Sequence, residues 1–105
     1  MTAKDDPFIP PVPPREKTVK ELVQEAFYDA PVMVAVAQAE SQFNPSAKNP
    51  HSTATGVFQI LIGTWHGYGC TGERTNAKDN ISCARVIYEE SGLRPWQASI
   101  HAWGA

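Results

Sequence analysis

The chain has 105 residues, which is room for one small hydrophobic core and therefore for one domain. Hydrophobic residues make up 42% of it and charged residues 19%, a composition typical of a globular protein and not of a disordered one. The net charge of -2, without a cluster of Lys or Arg among aromatic residues, argues against nucleic acid as a partner, and no apolar run approaches the roughly 20 residues of a membrane span.

Prolines dominate the beginning of the chain and predict a linker or tail over residues 1–17. They are Pro7, Pro10, Pro11, Pro13 and Pro14. Such a run favours an extended polyproline conformation and excludes helix. The alternative is that residues 10–15 are a ligand for an SH3-like domain, so the tail is the place where a protein partner could bind.

A capping box predicts where the first helix begins. Thr18 is a suitable N-cap, and Glu21 three residues later can reach back to it. Apolar residues then recur at intervals of three and four, so one face of this helix is expected to pack on the core. These residues are Val19, Leu22, Val23, Ala26 and Phe27.

A second helix is predicted from Pro31 to about Ser41 or Phe43. Proline suits the first turn of a helix because its missing N–H is not needed there. The β-branched residues between positions 32 and 36 make a strand conceivable. The alanines and the lack of apolar and polar alternation favour helix.

Glu40 is a single acid on the apolar face of this second helix. Met33, Val36 and Ala37 precede it by seven, four and three residues, which is the helical spacing that puts side chains on one face. Burial would raise the pKa of Glu40 and keep it protonated near neutral pH, as a general acid must be. The alternative is a helix-end carboxylate that reaches solvent or pairs with Arg or Lys.

The middle of the chain is predicted to be irregular. Residues 44–55 are rich in Asn, Pro, Ser and Thr, which indicates a loop or a small irregular β region. Residues 56–60 are expected to form a short strand. Residues 63–68 are predicted to form one or two helical turns before two glycines end them.

The last third of the chain is predicted to be helical. A longer helix begins near Asn76 as its N-cap and ends at Gly92, and a short helix begins at Pro95. In that short helix three residues are expected to share a face: Trp96, Ser99 and Trp103. The elements together predict a mainly α fold with little strand.

Cys70 and Cys83 are the only cysteines and flank a polar loop. Our working hypothesis is a disulfide, which could stabilise the domain by roughly 3 kcal/mol and would imply an oxidising compartment. The alternative is two separate buried thiols. We expect no metal and no cofactor, because His51, His66 and His101 do not stand at a ligand spacing.

Four short segments carry a resemblance to a known family. They are Ala39-Glu40-Ser41-Gln-Phe-Asn-Pro-Ser-Ala, Ser52-Thr-Ala-Thr-Gly56-Val-Phe-Gln59-Ile60, Asn80-Ile-Ser-Cys-Ala84 and Pro95-Trp96. Together they resemble the catalytic domain of the soluble lytic transglycosylases, which belong to the lysozyme-like superfamily. The ordered Glu-Ser and Gly-x-x-Gln are the specific part. The resemblance implies an α+β lysozyme-like domain over residues 18–105, with mainly helices and a short irregular β region.

The resemblance also implies a reaction. The family cleaves the β-1,4 bond between N-acetylmuramic acid and N-acetylglucosamine in peptidoglycan. Glu40 matches the glutamate that protonates the glycosidic oxygen and then acts as a base, while the 6-hydroxyl of muramic acid attacks and gives a 1,6-anhydro end. Ser41 matches the serine after that glutamate, and Gln59 the glutamine of the saccharide cleft. We assign both to substrate binding.

The sequence departs from the family near its end. Many members have an Ala-Tyr-Asn segment whose tyrosine contacts the catalytic acid, and residues 95–103 contain no tyrosine. We expect Ser99 and Trp103 to take its place in the cleft. The departure leaves open a hydrolytic muramidase, with Glu73 or Asp79 as a second carboxylate, and also a non-catalytic peptidoglycan-binding module.

A peptidoglycan substrate implies a location in the cell envelope, periplasmic or extracellular. No charged stretch followed by an apolar run comes after Met1, so no secretory signal is visible in this sequence. We expect a monomer whose partner is the glycan strand.

Overall fold

The computed structural model describes residues 15–104, except the side chains of residues 102 and 103. Most of the predicted tail, residues 1–14, lies outside this range. The helices in the described range are α1 (Val19–Ala26), α2 (Val32–Ser41), α3 (Ile62–Gly67), α4 (Ala77–Ser91), a 3-10 helix (Arg94–Ser99) and α5 (Ile100–Trp103). The predicted mainly helical fold is confirmed. In this part of the chain no helix is long and apolar enough to cross a membrane.

Local side-chain contacts explain where the helices begin and end. Thr18 caps α1 in a complete capping box with Glu21, as predicted. The Arg15 guanidinium beside Glu21 holds the pKa of that carboxyl down at about 2. Pro31 precedes the first turn of α2, and Gln42 ends that helix in the left-handed conformation, with φ 53°.

Helix α4 is the longest helix and carries one end of a disulfide. Asn76 caps it by accepting a hydrogen bond from the backbone N–H of Asp79, and Gly92 follows its last residue, as predicted. Cys70 and Cys83 form a disulfide. The bridge ties the polar loop before α4 to the middle of that helix.

The core lies where α1, α2 and α4 meet the segment around Phe58. The Phe58 ring is fully buried and lies 5.5 Å from the Phe27 ring and 5.8 Å from the Trp96 ring, measured between centroids. Met33 and Ile87 pack into the same cluster. Residues of α1, α2, α4 and the 3-10 helix therefore share one small core.

The predicted strand over residues 56–60 is wrong. These residues form a turn, and the predicted irregular β region consists of isolated bridges between Lys48 and Thr55 and between Thr55 and Ile60. Gly56 and Gln59 have positive φ values of 90° and 51°, which fold the backbone back on itself. A strand needs extended backbone at every residue, so two left-handed residues within five exclude it.

The final helix also differs from the prediction. A 3-10 helix begins at Arg94, is interrupted at Trp96 with φ -107° and ψ 15°, and leads into α5. Because the chain bends at Trp96, the i, i+3, i+7 spacing does not describe one continuous α-helical face. Trp96 is buried, and Ser99 reaches α2.

Candidate active site

Glu40 lies in the last turn of α2, on the face formed by the buried residues Met33, Val36 and Ala37. Its side chain is half-buried, and within residues 15–104 it forms no ion pair with Lys or Arg. Burial raises the pKa of the Glu40 carboxyl above the ordinary glutamate value, and a hydrogen bond from Ser99 opposes part of that rise. The carboxyl therefore keeps its proton to higher pH than an exposed glutamate does.

Ser99 contacts Glu40 directly. Its hydroxyl oxygen lies 2.7 Å from Oε2 of Glu40 and 3.2 Å from the Trp96 carbonyl oxygen. The indole of Trp96 is buried and donates from Nε1 to the Phe58 carbonyl at 3.0 Å. Trp96 thus fixes the 3-10 helix on the core, and the 3-10 helix places the Ser99 hydroxyl on the acid.

Ser41 faces the protein backbone. Its hydroxyl lies 2.7 Å from the Val57 carbonyl oxygen and 3.3 Å from that of Ala37, so it donates to the backbone. The Val57 bond joins the end of α2 to the turn over residues 56–59. Ser41 therefore holds the helix that carries Glu40 against the turn that carries Gln59.

Gln59 sits at the end of that turn with its amide anchored. Its Nε2 donates to the carbonyls of Ala47 and Gly56, each at 3.0 Å. No donor in the described range reaches its Oε1, and every fully buried side-chain N or O atom there has a partner, so Oε1 is not fully buried. Because the Nε2 end of the amide is fixed by two hydrogen bonds, its Oε1 is held in one direction, in which it can accept from a sugar N–H or O–H.

Asn80 is a buried residue that organises the site and that the sequence did not identify as such. Its Oδ1 accepts from the Phe58 N–H at 2.9 Å, and its Nδ2 donates to the carbonyls of Thr55 at 3.1 Å and Arg74 at 2.9 Å. The signals were that Asn80 begins one of the four segments that carry the resemblance, and that its amide stands at an inward position of α4, between Ala77 and Ala84.

Gly56 is required where the turn meets Asn80. A side chain on Gly56 would collide with the Asn80 amide and the Arg74 carbonyl, and its φ of 90° disfavours any L side chain. The tight approach lets Asn80 reach both sides of the turn. Steric crowding within this chain therefore explains why the Gly-x-x-Gln motif begins with a glycine.

No hydrogen bond joins Glu40 to a second carboxylate among the described residues. Charged neighbours do not contribute to its pKa shift, which burial and Ser99 account for. Asp79 accepts a hydrogen bond from the backbone N–H of Glu73 at 3.0 Å, and Glu73 is exposed in the loop before α4. The side chain of Trp103 lies outside the described part of the structure, so its predicted place in the cleft stays a prediction.

A comparison with protein families gave a match to the model described as Transglycosylase SLT domain, over residues 18–90. This is well over half of the chain and includes Glu40, Ser41, Gln59 and both cysteines. It stops before the 3-10 helix that brings Ser99 to Glu40. Neither the curated proteins nor the solved structures that were searched gave a match.

Proposed function

Because this chain belongs to the transglycosylase SLT domain family, whose activity is of the peptidoglycan lytic transglycosylase type, we propose that it cleaves the β-1,4 bond between N-acetylmuramic acid and N-acetylglucosamine. Glu40 is the catalytic acid and base. The observation that carries this proposal is the half-buried Glu40 carboxyl with its raised pKa and a hydroxyl at 2.7 Å. A carboxyl that keeps its proton to higher pH than an exposed glutamate does suits general acid catalysis.

In the first step the Glu40 proton passes to the glycosidic oxygen. The bond between that oxygen and C1 of the muramic acid then breaks, and N-acetylglucosamine leaves with a free 4-hydroxyl. Glu40 is now a carboxylate. The Ser99 hydroxyl, already 2.7 Å from Oε2, stabilises the new charge without having to move.

In the second step the 6-hydroxyl of the same muramic acid attacks C1. Its proton passes to the Glu40 carboxylate, which restores the acid, and the product carries a 1,6-anhydro ring. No water is consumed. Because the substrate supplies the nucleophile, one protein carboxylate is enough, which agrees with the lack of a charged neighbour to Glu40 in the described residues.

Substrate positioning is assigned to four further residues. Gln59 offers Oε1 as an acceptor to the glycan, and Ser41 acts through the backbone of the turn by fixing it on α2. Ser99 positions the acid. Trp103 is proposed as a wall of the cleft, where an aromatic ring would pack on a sugar face.

Hydrolysis to a reducing end is the second candidate, as in a muramidase. Its support is Ser99 itself, since a serine side chain is smaller than a tyrosine and leaves room for water beside Glu40. Mass spectrometry of a digest of purified sacculi separates the two. We expect 1,6-anhydro-muramic acid ends; reducing muramic acid ends would replace our proposal with hydrolysis, and no new ends at all would support a binding module.

The proposed substrate indicates the cellular location in which the protein acts. Peptidoglycan lies outside the cytoplasmic membrane, and the Cys70–Cys83 disulfide fits an oxidising compartment. We therefore place the protein in the periplasm or outside the cell, where it acts as a monomer on glycan strands.

A further inference from the structure

A polar cleft lies beside the turn that carries Gln59. Its volume is about 440 Å³, and all the residues that line it are polar or charged. They include Lys48, Thr53, Glu73 and Arg74. A cleft lined by polar and charged side chains suits a charged ligand better than a hydrophobic one.

Two cations of this cleft have no anionic partner in the described part of the chain. Ion pairs occupy Arg15, Lys17 and Arg85, whereas Lys48 and Arg74 lie beyond 4.0 Å from every carboxylate in that range. Glu73 lines the same cleft but pairs with neither. The cleft is therefore locally positive on a chain whose net charge is -2.

The Arg74 guanidinium is held so that one edge stays open. Its Nη1 donates to the carbonyls of Thr53 and Ile60, the latter at 2.8 Å. Its Nε and Nη2 have no hydrogen-bond partner among residues 15–104, and neither atom is fully buried. A fixed guanidinium with two parallel N–H donors free is the shape that binds a carboxylate.

The cleft adjoins the contacts of Gln59. Ile60, whose carbonyl holds Arg74, directly follows Gln59, and Ala47, whose carbonyl accepts the Gln59 amide at 3.0 Å, directly precedes Lys48. Consecutive Cα atoms lie about 3.8 Å apart, so the Arg74 guanidinium and the backbone of Lys48 both lie close to the glutamine. A branch that leaves a glycan bound at Gln59 can reach them.

We infer that this cleft binds a carboxylate of the peptide stem that branches from the glycan, with Arg74 and Lys48 as its cationic partners. The inference rests on the proposed function, which makes peptidoglycan the substrate. The N-acetylglucosamine units carry no charge, whereas peptide stems carry free carboxylates. When a stem is removed, the lactyl group of muramic acid exposes a carboxylate of its own, which is the competing source.

Binding is tested first, with the protein and a free stem tripeptide that has its carboxylates intact. Amide chemical shifts in an NMR titration are expected to move at residues 48–55 and 73–75. Lys48→Glu should weaken the Kd about fivefold or more, since it replaces an attraction with a repulsion. Lys20→Glu is the matched control, because Lys20 is exposed on α1 and unpaired among the described residues.

The same tripeptide with its carboxylates amidated should not bind. Equal Kd values for the free and amidated peptides, or for Lys48→Glu and the wild type, would overturn the inference. Equal thermal midpoints for the two lysine variants confirm that both are folded. This test does not depend on turnover, so it remains decisive if the proposed function fails.

Kinetics then identify the source of the carboxylate. Lys48→Glu should raise KM about fivefold on stem-bearing glycan strands, leave kcat unchanged, and leave KM unchanged on strands stripped of stems by an amidase. An equal rise on the stripped strands would assign the cleft to the lactyl carboxylate and refute the stem. If the wild type cleaves neither substrate, the proposed function fails and the peptide titration alone judges the cleft.

Discussion

Removal of the Ser99 hydroxyl should move the pH profile of the enzyme to higher pH. The Ser99 Oγ to Glu40 Oε2 distance of 2.7 Å is that of a charge-assisted hydrogen bond, which contributes roughly 1.5–3 kcal/mol when water is excluded. Glu40 is half-exposed, so in Ser99→Ala water can replace part of this hydrogen-bond energy. The net loss of carboxylate stabilisation is then about 1 kcal/mol. A loss of about 1 kcal/mol favours the protonated form over the carboxylate by roughly fivefold, so the pKa of Glu40 rises.

The direction of this pKa change depends on which form of Glu40 the hydrogen bond favours. Ser99 stabilises the carboxylate, so its loss raises the pKa of Glu40 further. The acid form starts the reaction and is lost as pH rises through that pKa, so the alkaline limb of kcat/KM must move up. The plateau should fall about tenfold as the carboxyl loses its orientation.

The assay is release of soluble muropeptides from sacculi between about pH 5 and 9, with a buffer series of constant ionic strength. Ser99→Thr keeps a hydroxyl and is the matched control. The alkaline limb of its pH profile should lie near that of the wild type. An alkaline limb that stays in place or moves down in Ser99→Ala, or one that moves equally in Ser99→Thr, would refute the positioning role of Ser99.

Three stability predictions follow from the same geometry. Asn80→Ala should lower the free energy of unfolding by about 3 kcal/mol in urea titrations, because it leaves buried backbone groups without hydrogen-bond partners. Loss of the exposed Asn76 cap should lower it by only about 1 kcal/mol. Equal effects of the two changes would contradict the structural role of Asn80. Gly56→Ala should be at least as damaging as Asn80→Ala, measured by thermal unfolding, and a wild-type midpoint would show that the turn relaxes freely. Replacing both cysteines, Cys70→Ser and Cys83→Ser, should lower the free energy of unfolding by about 3 kcal/mol. A wild-type protein whose free energy of unfolding does not change in reductant would argue against a stabilising bridge.

Local signals in the sequence predicted the helices well. Thr18 with Glu21 marked the beginning of α1, and Asn76 and Gly92 marked both ends of α4, because caps act within a few residues. Helical spacing also put Glu40 on the buried face of α2. These features depend only on near neighbours in the chain.

What the sequence did not predict depends on contacts between distant residues. Residues 56–60 include the β-branched and aromatic residues of a strand, and contacts with distant residues favour the turn, among them Asn80, more than twenty residues away. The Ser99 to Glu40 hydrogen bond joins residues 59 positions apart. The family resemblance suggested Ser99 as a substitute for a tyrosine but could not show that it reaches the acid.

The claim that Glu40 is the catalytic acid is tested most directly by Glu40→Gln, which keeps the shape of the side chain and removes its proton chemistry. We expect release of muropeptides from purified sacculi to fall by about 10³-fold or more, within the range of general acid catalysis, while sacculus binding and the thermal midpoint are retained. A Glu40→Gln protein that cleaves sacculi within tenfold of the wild-type rate would contradict the assignment.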